Sequence, residues 1–172
     1  TLFLFTAFTC AIHCTSTSIS AVFFDYVYNK DKGGGTMLTK ELQQQLIEMI
    51  KLHMNPDFII LFGSFSKGTV HEESDIDLAY FSKQPLSSYE RFILAGDLAS
   101  IANREIDLID LKQIDTVFTM QIFEQGIPIY IHDENEFVRQ KMRAYSMYAT
   151  LSEQRAPIIE AIKERGSVFG DE

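Results

Sequence analysis

A Gly63-Ser64 pair, ten intervening residues and then Asp75-Ile76-Asp77 make a stretch whose residue types and spacing could do chemistry. In an extended chain residues i and i+2 point to the same side. Asp75 and Asp77 therefore project together, and Ile76 and Leu78 project the other way. Two carboxylates held that close repel each other, which raises the pKa of one unless a cation lies between them. A hard divalent ion with oxygen ligands suits such a pair, and Mg2+ commonly brings the phosphates of a substrate with it. A glycine followed by serine lets backbone N–H groups come close to a phosphate. Together these groups could perform phosphoryl or nucleotidyl transfer, in which catalysis is mostly positioning and neutralisation of charge.

Strands are needed to hold these groups. The uninterrupted apolar run 58–62 reads as a buried strand that stops at Gly63-Ser64, and the run 76–81 reads as the strand that carries Asp77. Residues 65–68 are expected to form a short helical turn whose first N–H groups face a triphosphate. Lys67 in that turn either adds a point charge to the phosphates or is simply solvated. A two-metal arrangement needs one more carboxylate beside the first pair. The run Glu105-Ile106-Asp107-Leu108-Ile109-Asp110-Leu111 reads as a third strand and supplies candidates. Asp107 is the preferred one, Glu105 on the same face is the fallback, and Asp110 points the other way, where it can cap the next segment of chain. His71, Glu72 and Glu73, in the connection before Asp75, read as surface and receive no role.

The remaining pattern is scaffold. Leu42, Leu46, Ile47, Met49 and Ile50 recur at helical spacing behind a Thr39 N-cap, and Asn55-Pro56 ends that helix. After a turn over 82–85, Ser87 and Glu90 form a capping box that opens a helix over 89–102. A helix over 115–124 is stopped by Gly126, and 128–131 reads as an edge strand because Pro128 has no N–H to donate. A long helix begins near 133; Pro157 is expected to kink or split it, and Gly166 to end it. Phe137, Met142, Tyr145, Met147, Tyr148 and Leu151 form a stripe along it, expected to be partly core and partly the face offered to a protein partner.

The 172 residues are enough for one domain with a core, and 46% apolar with 23% charged residues is ordinary for a globular chain. The net charge of −9 disfavours a grip on long nucleic acid, which needs many lysines and arginines against phosphates. It does not disfavour one nucleoside triphosphate bound through a metal. Cys10 and Cys14 lie in the N-terminal segment and none follows Met37, which fits a reducing cytoplasm. Residues 1–36 differ from the rest. They are rich in Thr, Ser and Phe, have no basic start for a signal peptide, and are too interrupted by polar residues for a membrane span. They are expected to be a non-native upstream translation or a disordered extension, with Met37 as the true start; a partly cleaved or anchored leader is the rival. No zinc spacing, no internal repeat and no P-loop pattern occurs.

The Gly63-Ser64 pair, its spacing to Ser74-Asp75-Ile76-Asp77-Leu78 and the flanking strands resemble the signature of the DNA polymerase beta nucleotidyltransferase superfamily. Residues 37 to about 166 are similar to its minimal members, the MNT-type antitoxins that pair with HEPN-domain toxins. The resemblance implies an α/β fold: a small mixed sheet of about four strands flanked by helices, with C-terminal helices from about 134. It implies that Asp75, Asp77 and Asp107 bind Mg2+, and that Asp107, matching the third acidic position, shares a metal and orients or deprotonates the attacking hydroxyl. Gly63 and Ser64 would hold the phosphates of ATP. Arginine is more usual in the family where Lys67 stands here. The implied activity is transfer of AMP to a tyrosine of a cognate HEPN ribonuclease, in the cytoplasm. Two alternatives stay open. One is a small-molecule nucleotidyltransferase of the aminoglycoside type, for which the roughly 130 residues after Met37 leave little room for an acceptor region. The other is a non-catalytic module that neutralises a toxin by covering it.

Overall fold

Five consecutive apolar residues have no polar face to turn to water, and β1 (Phe58–Phe62) lies inside the sheet, buried at every position. The computed structural model describes residues 38–69, 74–84 and 86–165. The expectations for residues 1–36, for Pro85, for His71, Glu72 and Glu73 and for Gly166 lie outside those residues.

Helix α1 (Lys40–His53) precedes β1, and the five-residue α2 (Gly63–Lys67) follows it directly. Then come β2 (Ile76–Phe81), α3 (Ser88–Ala102), β3 (Ile106–Asp110), α4 (Thr116–Gln125), β4 (Ile127–Ile131) and α5 (Glu134–Arg165). The sheet runs β3-β2-β1-β4. β1 is antiparallel to both β2 and β4, whereas β2 and β3 are parallel, joined by α3 as the crossover helix that a parallel pair requires. The sheet is therefore mixed and four-stranded, and Pro128 does lie on an edge strand.

Local signals set the helix starts. The Thr39 hydroxyl accepts from Leu42 N–H at 3.3 Å, and Ser87 and Glu90 make the reciprocal capping box, with Ser87 N–H donating to Glu90 Oε2 at 2.9 Å. Asp115 caps α4 by accepting from the N–H groups of Val117 and Phe118 at 2.8 and 3.0 Å. Asn103 ends α3 in the left-handed conformation, φ 50°, which asparagine tolerates better than most residues.

Period-two alternation sorts the strand residues onto two faces. Ile59, Leu61, Ile76, Leu78, Tyr80, Ile106 and Leu108 pack with Leu46, Ile47 and Ile50 of α1 and Leu94 and Leu98 of α3. Phe58, Ile60, Phe62, Ala79 and Phe81 pack on the opposite face with Ile122 and Phe123 of α4 and Phe137 and Ala144 of α5. At the end of the sheet where β1 begins, Lys83 Nζ lies 3.3 Å from the buried Asp57 carboxylate and 3.6 Å from that of Asp133, which leads into α5.

One expectation needs correction. α5 is a single helix over Glu134–Arg165, and Pro157 does not split it. Residues 152–160 are all exposed, so water can satisfy the carbonyl of Glu153 that Pro157 cannot serve, and the helix tolerates the lost hydrogen bond. The apolar stripe divides between core and surface, as expected: Phe137 is buried, Tyr145, Tyr148 and Leu151 are half-buried, and Met142 and Met147 are exposed.

The Phe58 ring stacks on Phe81 at 5.3 Å between centroids and meets Phe137 edge-on at 5.1 Å, joining β1, β2 and α5. Phe58→Ala is expected to destabilise the fold by about 3–5 kcal/mol, the usual cost of emptying a buried aromatic site. A shift of the urea unfolding midpoint checks this.

Candidate active site

The site grows out of the hydrogen-bond register. Phe62, the last residue of β1, pairs with Asp77, so Gly63 leaves the sheet beside the Asp77 side chain. On its other side Asp77 pairs in parallel register with Asp107. Partners at one register position on neighbouring strands point to the same face, about 4.8 Å apart between strands. Asp75 lies two residues before Asp77, just ahead of β2, and its charge reaches the Asp77 carboxyl. Asp77 is half-buried, while Asp75 and Asp107 are exposed.

Gly63 is required twice over. Its φ of +68° favours glycine. A Cβ built on it would overlap the Asp77 carboxylate, lying 2.7 Å from Cγ. The backbone at the start of α2 therefore packs directly on a carboxylate. Ser64 follows half-buried, Phe65 turns into the core shared with α1 and α3, and Lys67 is exposed at the last position of α2. The buried Ser66 hydroxyl donates to the Gly63 carbonyl at 3.0 Å and fixes that peptide. Phe118 of α4 meets Phe62 edge-on at 5.8 Å and supports the same corner from the opposite side of the sheet to Phe65.

Burial first, and then the charges of Asp107 and Asp75, push the Asp77 carboxyl above the ordinary carboxylate range. A nearby cation would favour its charged form. The donor chemistry suits a hard divalent ion: carboxylate oxygens on one face, with no thiolate or imidazole among the three. The side chains share a face without closing on one point, and among the described residues no group of three or more acidic, histidine or cysteine side chains is gathered tightly enough to hold a metal. Asp75, Asp77 and Asp107 are therefore brought to one end of the sheet as candidates, with Gly63 and Ser64 beside them. Lys67 stands one helical turn after Gly63 on the same side of α2. Glu105 is exposed ahead of β3, outside the register that pairs Asp107 with Asp77. Asp110 is buried on the other face, where its Oδ1 accepts from Lys112 N–H at 2.9 Å, the capping role expected of it.

The pattern of the polymerase beta nucleotidyltransferase family matches residues 44–135, just over half of the chain. The chain belongs to that family. It is 36% identical over 104 residues to the protein adenylyltransferase MntA of Shewanella oneidensis, covering 60% of this chain and 74% of the relative. A crystal structure of a toxin–antitoxin with AMP-PNP contains a chain that superposes with a TM-score of 0.65 at 31% identity, covering 70% of this chain and 98% of that one. A structure of a tri-AMPylated Shewanella oneidensis HEPN toxin in complex with MNT antitoxin gives a TM-score of 0.62 at 27% identity, covering 73% and 99%. The family match spans both halves of the candidate site, the Gly63–Ser64 turn and the three aspartates.

Sequence spacing did not single out Ser66. A serine at the fourth position of a short turn carries no pattern of its own, and only the distance to the Gly63 carbonyl reveals it.

Two outcomes are expected of variants here. Gly63→Ala must move either the Asp77 carboxylate or the start of α2, so it should lose more than about 1 kcal/mol of stability in a urea titration. Asp77→Asn should do the opposite in the absence of divalent ions. A carboxyl whose folded pKa is raised contributes stability below its unfolded value, and that contribution is lost as pH rises through the folded value. In EDTA at pH 7 the Asn variant should therefore melt higher than the parent. The gap should close as pH falls below the unfolded carboxylate value of about 4. A lower melting temperature at pH 7 would contradict the assignment of strain to this carboxylate.

Proposed function

We propose that this chain is a Mg2+-dependent protein adenylyltransferase acting as an antitoxin, which transfers AMP from ATP to a tyrosine of a HEPN-domain toxin. The observation that carries the reading is the juxtaposition of Gly63, packed on Asp77, with Asp107 at the same register position. It sets a phosphate-approach turn against a set of carboxylates. The choice of acceptor draws on the comparisons: a relative is named a protein adenylyltransferase, and an MNT antitoxin is seen in complex with a tri-AMPylated HEPN toxin.

In this mechanism Asp75 and Asp77 would hold the Mg2+ and Asp107 would share it. The ion, when bound, would supply positive charge to neutralise the triphosphate. The Gly63 and Ser64 N–H groups and the Ser64 hydroxyl hold the phosphate oxygens, and Lys67 adds charge from the end of α2. Asp107 accepts the proton of the tyrosine hydroxyl as its oxygen bonds to the α-phosphorus. The bond from that phosphorus to the bridging oxygen of the β-phosphate breaks, and pyrophosphate leaves. Among the described residues no helix is long and apolar enough to cross a membrane, and a cytoplasmic setting belongs to the same proposal.

Intact mass of the cognate HEPN protein, after incubation with this chain, Mg2+ and ATP, tests the reading. One or more added AMP units are expected, and none with Asp77→Asn. An unchanged mass together with a stable complex would mean neutralisation by covering.

A further inference from the structure

Arg104 reaches the residues next to both halves of the candidate site, Phe65 beside the turn and Ser74 beside the first aspartate. It follows Asn103, the residue that closes α3, and precedes the strand that carries Asp107. Its Nη1 donates to the Ser74 carbonyl at 3.2 Å, and Ser74 is joined by one peptide bond to Asp75. Its guanidinium carbon lies 5.9 Å from the centroid of the Phe65 ring. Phe65 follows Ser64 and is buried in the core on the α1 and α3 side of the sheet. The next backbone contact continues the same seam: Ile76 N–H donates to the Glu105 carbonyl at 2.9 Å. One side chain thus fastens the turn that would receive phosphate to the peptide that delivers the first carboxylate.

We infer that Arg104 is a positioning residue for the metal and nucleotide site, setting Asp75 relative to the Gly63–Ser64 turn without touching either ligand. The inference rests on the function proposed above. Asp75 precedes β2 and lies outside its paired register, so the anchored Ser74 carbonyl limits where its carboxylate can point. A planar guanidinium can lie against a ring and donate in its own plane at the same time. A lysine ammonium can supply the hydrogen bond and the charge but not the flat contact. Groups that orient metal ligands in this way commonly account for about 10- to 100-fold in metal affinity.

The test is Mn2+ binding by the full chain in the presence of a non-hydrolysable ATP analogue, followed by the electron paramagnetic resonance signal of free Mn2+. Arg104→Ala should weaken binding about 10- to 100-fold. Arg104→Lys should recover part of the loss, and Phe65→Leu, which keeps apolar volume but removes the ring, should show a smaller one. Circular dichroism and melting temperature establish that each variant is folded. Asp75→Asn is the control for the site itself. If it loses binding while folded Arg104→Ala binds like the parent, the inference about Arg104 falls and the site reading stands. If Asp75→Asn binds like the parent, both fall. Should Arg104→Ala fail to fold, Arg104→Lys and Phe65→Leu decide, and parent-like binding by both would overturn the inference.

Discussion

The contact between the Gly63 backbone and the Asp77 carboxylate is the constraint on which the rest of the site depends. It joins the end of β1 to the start of β2 with no room for a side chain between them. Buried strands on either hand hold it in place, because β1 cannot slide against β2 by one residue without turning Phe58, Ile60 and Phe62 onto the wrong face. The apolar core therefore sets the distance between the turn and the carboxylate. The energy that fixes the site comes from aromatic and aliphatic packing well away from the three aspartates.

The same arrangement explains why Asp77 is costly in its charged form. Asp77 is half-buried and faces two other carboxylates, and burial outweighs either neighbour in raising its pKa. In the proposed function a cation offsets that cost. The parallel pairing of β2 with β3 brings Asp107 to the level of Asp77, and α3 is the element that makes a parallel pairing possible. Nothing in α3 itself does chemistry, yet its length and its Asn103 end set where β3 starts.

Much of this was legible in the residues because local rules and the global fold agree. The alternation of Asp75, Ile76, Asp77 and Leu78 gave both the shared face of the acids and the burial of the apolar pair. Thr39, the Ser87–Glu90 box, Asp110 and Pro128 each took the place their side-chain chemistry favours. The features that were not legible depend on distances between segments far apart in sequence. Arg104 looks like any charged residue in a turn until Ser74 and Phe65 are seen beside it. Pro157 misled because the rule that proline interrupts a helix weighs least where the helix is exposed and water can meet the orphaned carbonyl.

The central claim is that Asp77, pressed against Gly63, forms with its neighbours the place where a divalent ion and a nucleoside triphosphate meet. Anomalous diffraction from a crystal of this chain grown with Mn2+ and a non-hydrolysable ATP analogue tests it most directly. The account predicts a Mn2+ peak bridging Asp75 and Asp77, with phosphate density over the Gly63–Ser64 turn. Nucleotide bound elsewhere, or a metal peak that leaves both carboxylates without contact, would contradict it.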